Sequence, residues 1–173
     1  MTMWLKLDLE DIDFRFRISR YEGKPWCKVD LKLKAQKWLN YNMVHREVLE
    51  YDDVERICDR IEGLLNNKFD KPKGISFAEP DLEFILYPSF DIRNNPDVLY
   101  IKPGSNTILD VTMELIVSFW DEDGALTANQ LKLVFDREDI EKLHCYLKYV
   151  AGRINEEDET LQKLMTEGII YNL

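Results

Sequence analysis

Two stretches of this chain repeat one design. VLEYDDVERI spans residues 48–57, and LVFDREDIEKL spans 133–143. Each leaves an apolar, strand-like run, crosses a group of carboxylates and enters a pattern with helical spacing. In the first, Val54, Ile57, Cys58, Ile61, Leu64 and Leu65 form one apolar stripe. In the second, Ile140, Leu143, Leu147, Val150 and Ala151 reproduce five of its offsets. Residues three and four apart share a helix face, so each stripe predicts an amphipathic helix with one side to bury. Asp52 and Asp53 open the first helix, where carboxylates favour free N–H groups and the positive dipole end. Asp136 and Asp139 stand in a capping-box arrangement at the start of the second. Gly152 is suited to end it.

Before each helix the apolar period changes from helical to two. Ile12, Phe14, Phe16 and Ile18 alternate with polar residues, and Val29, Leu31 and Leu33 do the same. Such alternation predicts strands with one wet face. A weaker strand is expected at 44–50. In the second half, Leu82, Phe84 and Leu86 alternate, then Met113, Leu115, Val117 and Phe119, then Leu131, Leu133 and Phe135. DEDG at 121–124 is a hairpin-turn signal. A Pro/Asn-rich insert lies between Pro88 and Thr107, with a short strand expected at 98–101. The chain therefore reads as two βββα units, 1–70 and 75–154, followed by a tail at 155–173. These are expected to form one α+β domain of 1–173, with a mainly antiparallel sheet and two helices on one face. The apolar end GIIYNL is expected to dock on the body.

Charge is distributed unevenly. Residues 1–75 carry 15 Lys/Arg and 14 Asp/Glu, whereas residues 76–173 carry 8 and 19. An acidic surface of this kind repels nucleic acid and anionic membranes and attracts a basic protein. No apolar run is long enough to span a bilayer. The start of the chain lacks the basic and apolar regions of a signal peptide. Cys27, Cys58 and Cys145 are scattered and odd in number, which fits a reducing cytoplasm. A cytoplasmic protein, monomeric or weakly dimeric, is the expectation.

No catalytic signature emerges. His45 and His144 have no ligand partners at metal-binding spacing, so neither a metal nor another cofactor is expected. DEDG lacks the remaining ligands of a calcium loop. Glu79 and Asp81 flank Pro80 at a strand start, with nothing to mark them as a hydrolytic acid and base. The chain holds 7 glycines, and none falls into a phosphate-binding loop. Trp120 shares parity with the polar residues of its strand and adjoins Asp121, Glu122 and Asp123, an aromatic–acidic edge suited to protein binding. Glu156, Glu157, Asp158 and Glu159 form a second acidic run. The residues themselves leave three classes open: a protein that plugs a basic partner, an accessory binding domain of another kind, and an enzyme with a carboxylate site.

One stretch narrows the choice. Phe77, Glu79, Pro80, Asp81, Leu82 and Phe84, followed by Leu133, Phe135, Asp136, Leu143 and Leu147, resemble the WapI-type immunity proteins of bacterial polymorphic toxin systems. The resemblance covers roughly residues 25–150, and the insert RNNPDVLYIKPGSN departs from it. It implies a non-enzymatic cytoplasmic protein that binds and neutralises a cognate toxin domain, often a nuclease whose positive active site an acidic surface can plug. It transfers no contact residue.

Overall fold

A computed structural model describes residues 2–173. The protein is α+β, and its strands form antiparallel sheets. Four strands open the chain: β1 (Trp4–Leu9), β2 (Ile12–Arg20), β3 (Trp26–Ala35) and β4 (Leu39–Glu50). They run as a meander into helix α1 (Tyr51–Leu65). The second half repeats this order. Strands β5 (Lys73–Ser76) and β6 (Leu82–Tyr87) precede the insert, which holds the short strands β7 (Phe90–Asp91) and β8 (Ile108–Leu109). Strands β9 (Thr112–Trp120) and β10 (Leu126–Phe135) follow, leading into α2 (Arg137–Val150). The chain ends with α3 (Glu159–Thr166) and β11 (Ile170–Tyr171), which pairs with β1.

Each unit is thus a four-stranded meander and a helix, one strand more than the periodicity shows. The extra strand is the first of each unit. β1 reaches β2 through Glu10 and Asp11, both in the left-handed region with φ of 49° and 73°. Two such residues make the tight hairpin turn that Asn-Gly usually marks, and Glu-Asp conceals it. Asp8 Oδ1 accepts from Asp11 N–H at 3.0 Å and holds the turn. β5 buries only Ile75, so it has no alternation to read. Its start at Lys73 moves the second unit two residues ahead of the expected 75.

The expected single sheet is divided in two, with orders β11-β1-β2-β3-β4 and β10-β9-β6-β5. The helices pack against each other and touch both sheets. α1 meets β4 and β6, and α2 meets β1, β9 and β10. One continuous cluster joins the alternating strand residues to both helix stripes, including Phe14, Leu31, Phe84, Leu115, Ile61 and Leu147. Phe14 meets Phe135 edge-on at 5.4 Å between ring centres, tying the two sheets together. Tyr146, fully buried, donates its hydroxyl to Met3 O at 3.1 Å and accepts from Ile18 N–H at 2.8 Å. Those bonds fasten α2 to the first sheet, and burial pushes the phenol pKa upward. Both helices carry a capping box, at Glu50/Asp53 and Asp136/Asp139. Gly152 follows the α2 cap with φ of 71°, the left-handed step that lets the chain leave the helix.

Residues 98–101 form no strand. Val98, Leu99 and Tyr100 stand in irregular, exposed backbone, and Leu99 is 96 % exposed. The terminal segment does dock: Ile170 is buried and pairs with Leu5.

Candidate partner-binding surface

Trp120 ends β9 at the hairpin that carries the acidic turn. Its indole is 36 % exposed, and its Nε1–H donates to Asp81 Oδ1 at 2.9 Å. Asp81 is only 2 % exposed. Arg46 of β4 donates to the same oxygen through Nη2 at 3.1 Å. A buried carboxylate requires such partners, because desolvation without them costs several kcal/mol. Asp81 itself is placed by its backbone. It precedes β6, and its carbonyl accepts from Ser118 N–H at 2.9 Å, extending the β6–β9 ladder. Trp120, Arg46 and Asp81 thus link the two sheets.

A bulge sets Arg46. The β3–β4 register passes from Val29↔Arg46 to Leu31↔Met43, so Val44 and His45 both stand opposite Asp30. His45 takes φ of 52° there. Asp30, buried on the wet side of the sheet, accepts from His45 N–H at 2.9 Å and from Arg17 Nε at 2.8 Å. The carboxylate satisfies the backbone that the bulge frees from the ladder. Beside it, Tyr41 packs on Phe119 with ring centres 5.5 Å apart. Burial first, and then the charge of Asp81, push the Tyr41 pKa upward, with Arg46 opposing.

These residues enclose a cleft of about 350 Å³, lined by Tyr41, Met43, Val44, Phe119 and Trp120, with Arg46 and Asp81 as its charged groups. Asp81 Oδ2 is itself buried and has no hydrogen-bond partner among the described residues.

The acidic turn adjoins this cleft. Asp121 closes it: Oδ1 accepts from Ala125 N–H at 2.7 Å, and Gly124 takes φ of 78°. Among the described residues, Glu122 and Asp123 enter no ion pair. The second acidic run is used differently. Asp158 caps α3, its Oδ1 accepting from Thr160 and Leu161 N–H at 3.0 Å each. Glu156 accepts from the Tyr149 hydroxyl at 3.3 Å. Glu157 is exposed, and Glu159 begins α3. No hydrogen bond or ion pair among the described residues joins 156–159 to the Trp120 hairpin, so the two acidic runs are separate features.

Arg46 and Tyr41 escape notice in the sequence because β4 is bulged and its alternation is broken. Asp81 is visible there only as an acid beside Pro80. Glu79, the other half of that pair, shares none of the Asp81 bonds. His144 sits half-buried on α2 with its pKa lowered, chiefly by burial. No group of three or more His, Cys, Asp or Glu among the described residues could hold a metal ion. No helix among them is long and apolar enough to cross a membrane. Searches against protein-family models, curated proteins and solved structures each find no match to this chain.

Proposed function

We propose that this protein is an immunity protein that binds and neutralises a basic toxin domain in the cytoplasm of the cell that makes it. The observation that carries the reading is the Trp120 edge. A half-open indole is held in place by a buried carboxylate, and the turn beside it carries Glu122 and Asp123, which enter no ion pair among the described residues. A rigid aromatic beside desolvatable surface is the usual form of a binding anchor, and unneutralised acids around it steer a basic partner. The acidic balance of residues 76–173 acts in the same direction. The resemblance to WapI-type immunity proteins adds that the partner is a toxin, with nuclease domains as the leading class.

The test is survival of cells that express the toxin domain encoded beside this gene, with and without this protein, together with binding of the purified pair. Protection and binding are expected. Failure to bind any adjacent toxin domain would overturn the reading. The alternative, an accessory protein-binding domain, is favoured by one other feature: the insert presents Leu99 and Tyr100 to solvent.

A further inference from the structure

A groove of about 720 Å³ lies between the β7–β8 pair and the first turns of α2. Thr112, where β9 begins, lines it, and Trp120 ends the same strand. Strand geometry separates the two residues by about 26 Å, so the groove and the tryptophan edge are distinct surfaces. One wall is apolar and uncovered. Phe90 and Leu109 pair across β7 and β8 and stand 48 % and 47 % exposed. Among the described residues no third strand joins this pair. The buried Val111 lies beside them. The remaining wall is acidic. Asp110, Asp136, Glu138 and Glu141 line the groove, and all four are exposed. Arg137 also lines it, but Asp110 already holds its guanidinium, through Nε at 2.8 Å and Nη2 at 2.7 Å. Lys142, outside the lining, pairs with Glu138. Four carboxylates against these two cations leave the groove negative. The capping box occupies the start of α2, and the carboxylates outweigh the roughly half positive charge of the helix dipole.

We infer that this groove docks a basic segment of the protein partner, with an aliphatic or aromatic side chain laid on Phe90 and Leu109 and a neighbouring Lys or Arg facing Glu138 and Glu141. The inference rests on the immunity reading for the partner's identity. It goes beyond that reading in naming a second contact surface and the chemistry of the segment that fills it. Uncovered apolar surface bordered by charge has the make-up of an interface core and its rim. The rim selects the sign of the occupant. A second copy of this chain would set the same carboxylates against these, and a nucleic acid would bring phosphates, so both are repelled. A basic segment meets complementary charge. The carboxylates stand in water on the free protein, so pairing with a cation carries little of the desolvation cost of a buried ion pair. The apolar wall supplies affinity, and the acids supply approach and sign.

Two experiments test this and keep it apart from the immunity reading. In the first, the isotope-labelled full chain is titrated with three capped peptides and followed by NMR: Lys-Leu-Lys-Leu-Lys, Glu-Leu-Glu-Leu-Glu and Lys-Ser-Lys-Ser-Lys. The first peptide should shift the amides of Phe90, Leu109 and Val111 saturably, and the other two should bind about tenfold more weakly or worse. Leu109→Ser should weaken the lysine–leucine peptide about tenfold, and Glu138→Lys with Glu141→Lys should abolish its advantage over the acidic peptide. All three positions are exposed, so both variants should melt as wild type does. Equal binding of the two lysine peptides would show charge screening alone. Equal binding of the two leucine peptides would show apolar adhesion alone. Shifts centred on another surface, or no saturable shift, would place no dock here. Each of these outcomes overturns the inference. The second experiment measures affinity for the toxin domain encoded beside this gene, which Leu109→Ser should weaken about tenfold. Tight toxin binding unchanged in both variants would overturn the inference and leave the immunity reading intact. Peptide binding at the groove with no toxin binding would sink the immunity reading and keep the groove as a dock for a basic segment.

Discussion

Trp120 and Asp81, 39 residues apart, are joined by a 2.9 Å hydrogen bond from the indole Nε1–H to carboxylate Oδ1. The tryptophan at the candidate surface is therefore also part of the structure. Trp120→Phe keeps the ring and removes the donor, leaving buried Asp81 with Arg46 alone. It should cost about 1–3 kcal/mol of stability, the penalty for an unsatisfied buried charge acceptor. Trp120→Ala should cost more and, if the proposed basic partner docks here, should also speed its dissociation by the equivalent of about 2 kcal/mol. Urea melts and surface-plasmon kinetics on the two variants separate these effects. Equal stability of Trp120→Phe and wild type would mean that Asp81 does not need the indole.

The acidic turn offers a cleaner charge test once Asp121 is left alone, since its side chain closes the turn onto Ala125. Glu122→Lys with Asp123→Lys should leave the melting curve within about 0.5 kcal/mol of wild type, as exposed turn charges do. Association with the proposed toxin partner should slow, and its salt dependence should flatten. Unchanged association rates would place the interface elsewhere.

Leu147 lies in the shared core on α2 and is almost fully buried. Leu147→Ala should destabilise the protein by about 2–5 kcal/mol. Tyr146→Phe, one residue earlier, strips partners from Met3 O and Ile18 N–H and should cost about 1–3 kcal/mol. Denaturant unfolding reads both. A cost below about 1 kcal/mol for Leu147→Ala would remove that residue from the core.

Asp139 supplies a pH test. Its half-burial, and then the nearby charge of Asp136, push its pKa from 3.8 up to about 6. A carboxyl whose folded pKa is raised holds its proton more tightly in the folded state. Its contribution to stability is therefore fully present below the unfolded pKa and is lost as pH rises towards about 6. Asp139→Asn stays neutral and keeps an acceptor for the capping box. It should exceed wild-type stability at neutral pH by about 1 kcal/mol, after allowance for solvent screening. The gap should close as pH falls to the ordinary carboxylate range. A gap that does not vary with pH would mean that Asp139 is ionised as freely in the folded protein as in the unfolded chain.

The sequence by itself determined the local elements and their inner faces. Val54, Ile57 and Ile61 share a side because a helix repeats every 3.6 residues, and Phe14 and Phe16 share one because a strand repeats every two. Asp136 and Asp139 cap α2 because both partners lie within one turn. That much needs only neighbouring residues, and the ββββα repetition follows from it except where a turn or a short edge strand conceals β1 and β5. Tertiary structure decided the rest. The division into two sheets depends on which strand edges meet after α1, and periodicity carries no information on that choice. Asp81 looks like any acid at a strand start. Only the approach of Arg46 and Trp120, 35 and 39 residues away, takes it out of water. Burial of a charge and the shape of a cleft are set by how distant elements pack, because the surrounding atoms that exclude solvent come from both halves of the chain.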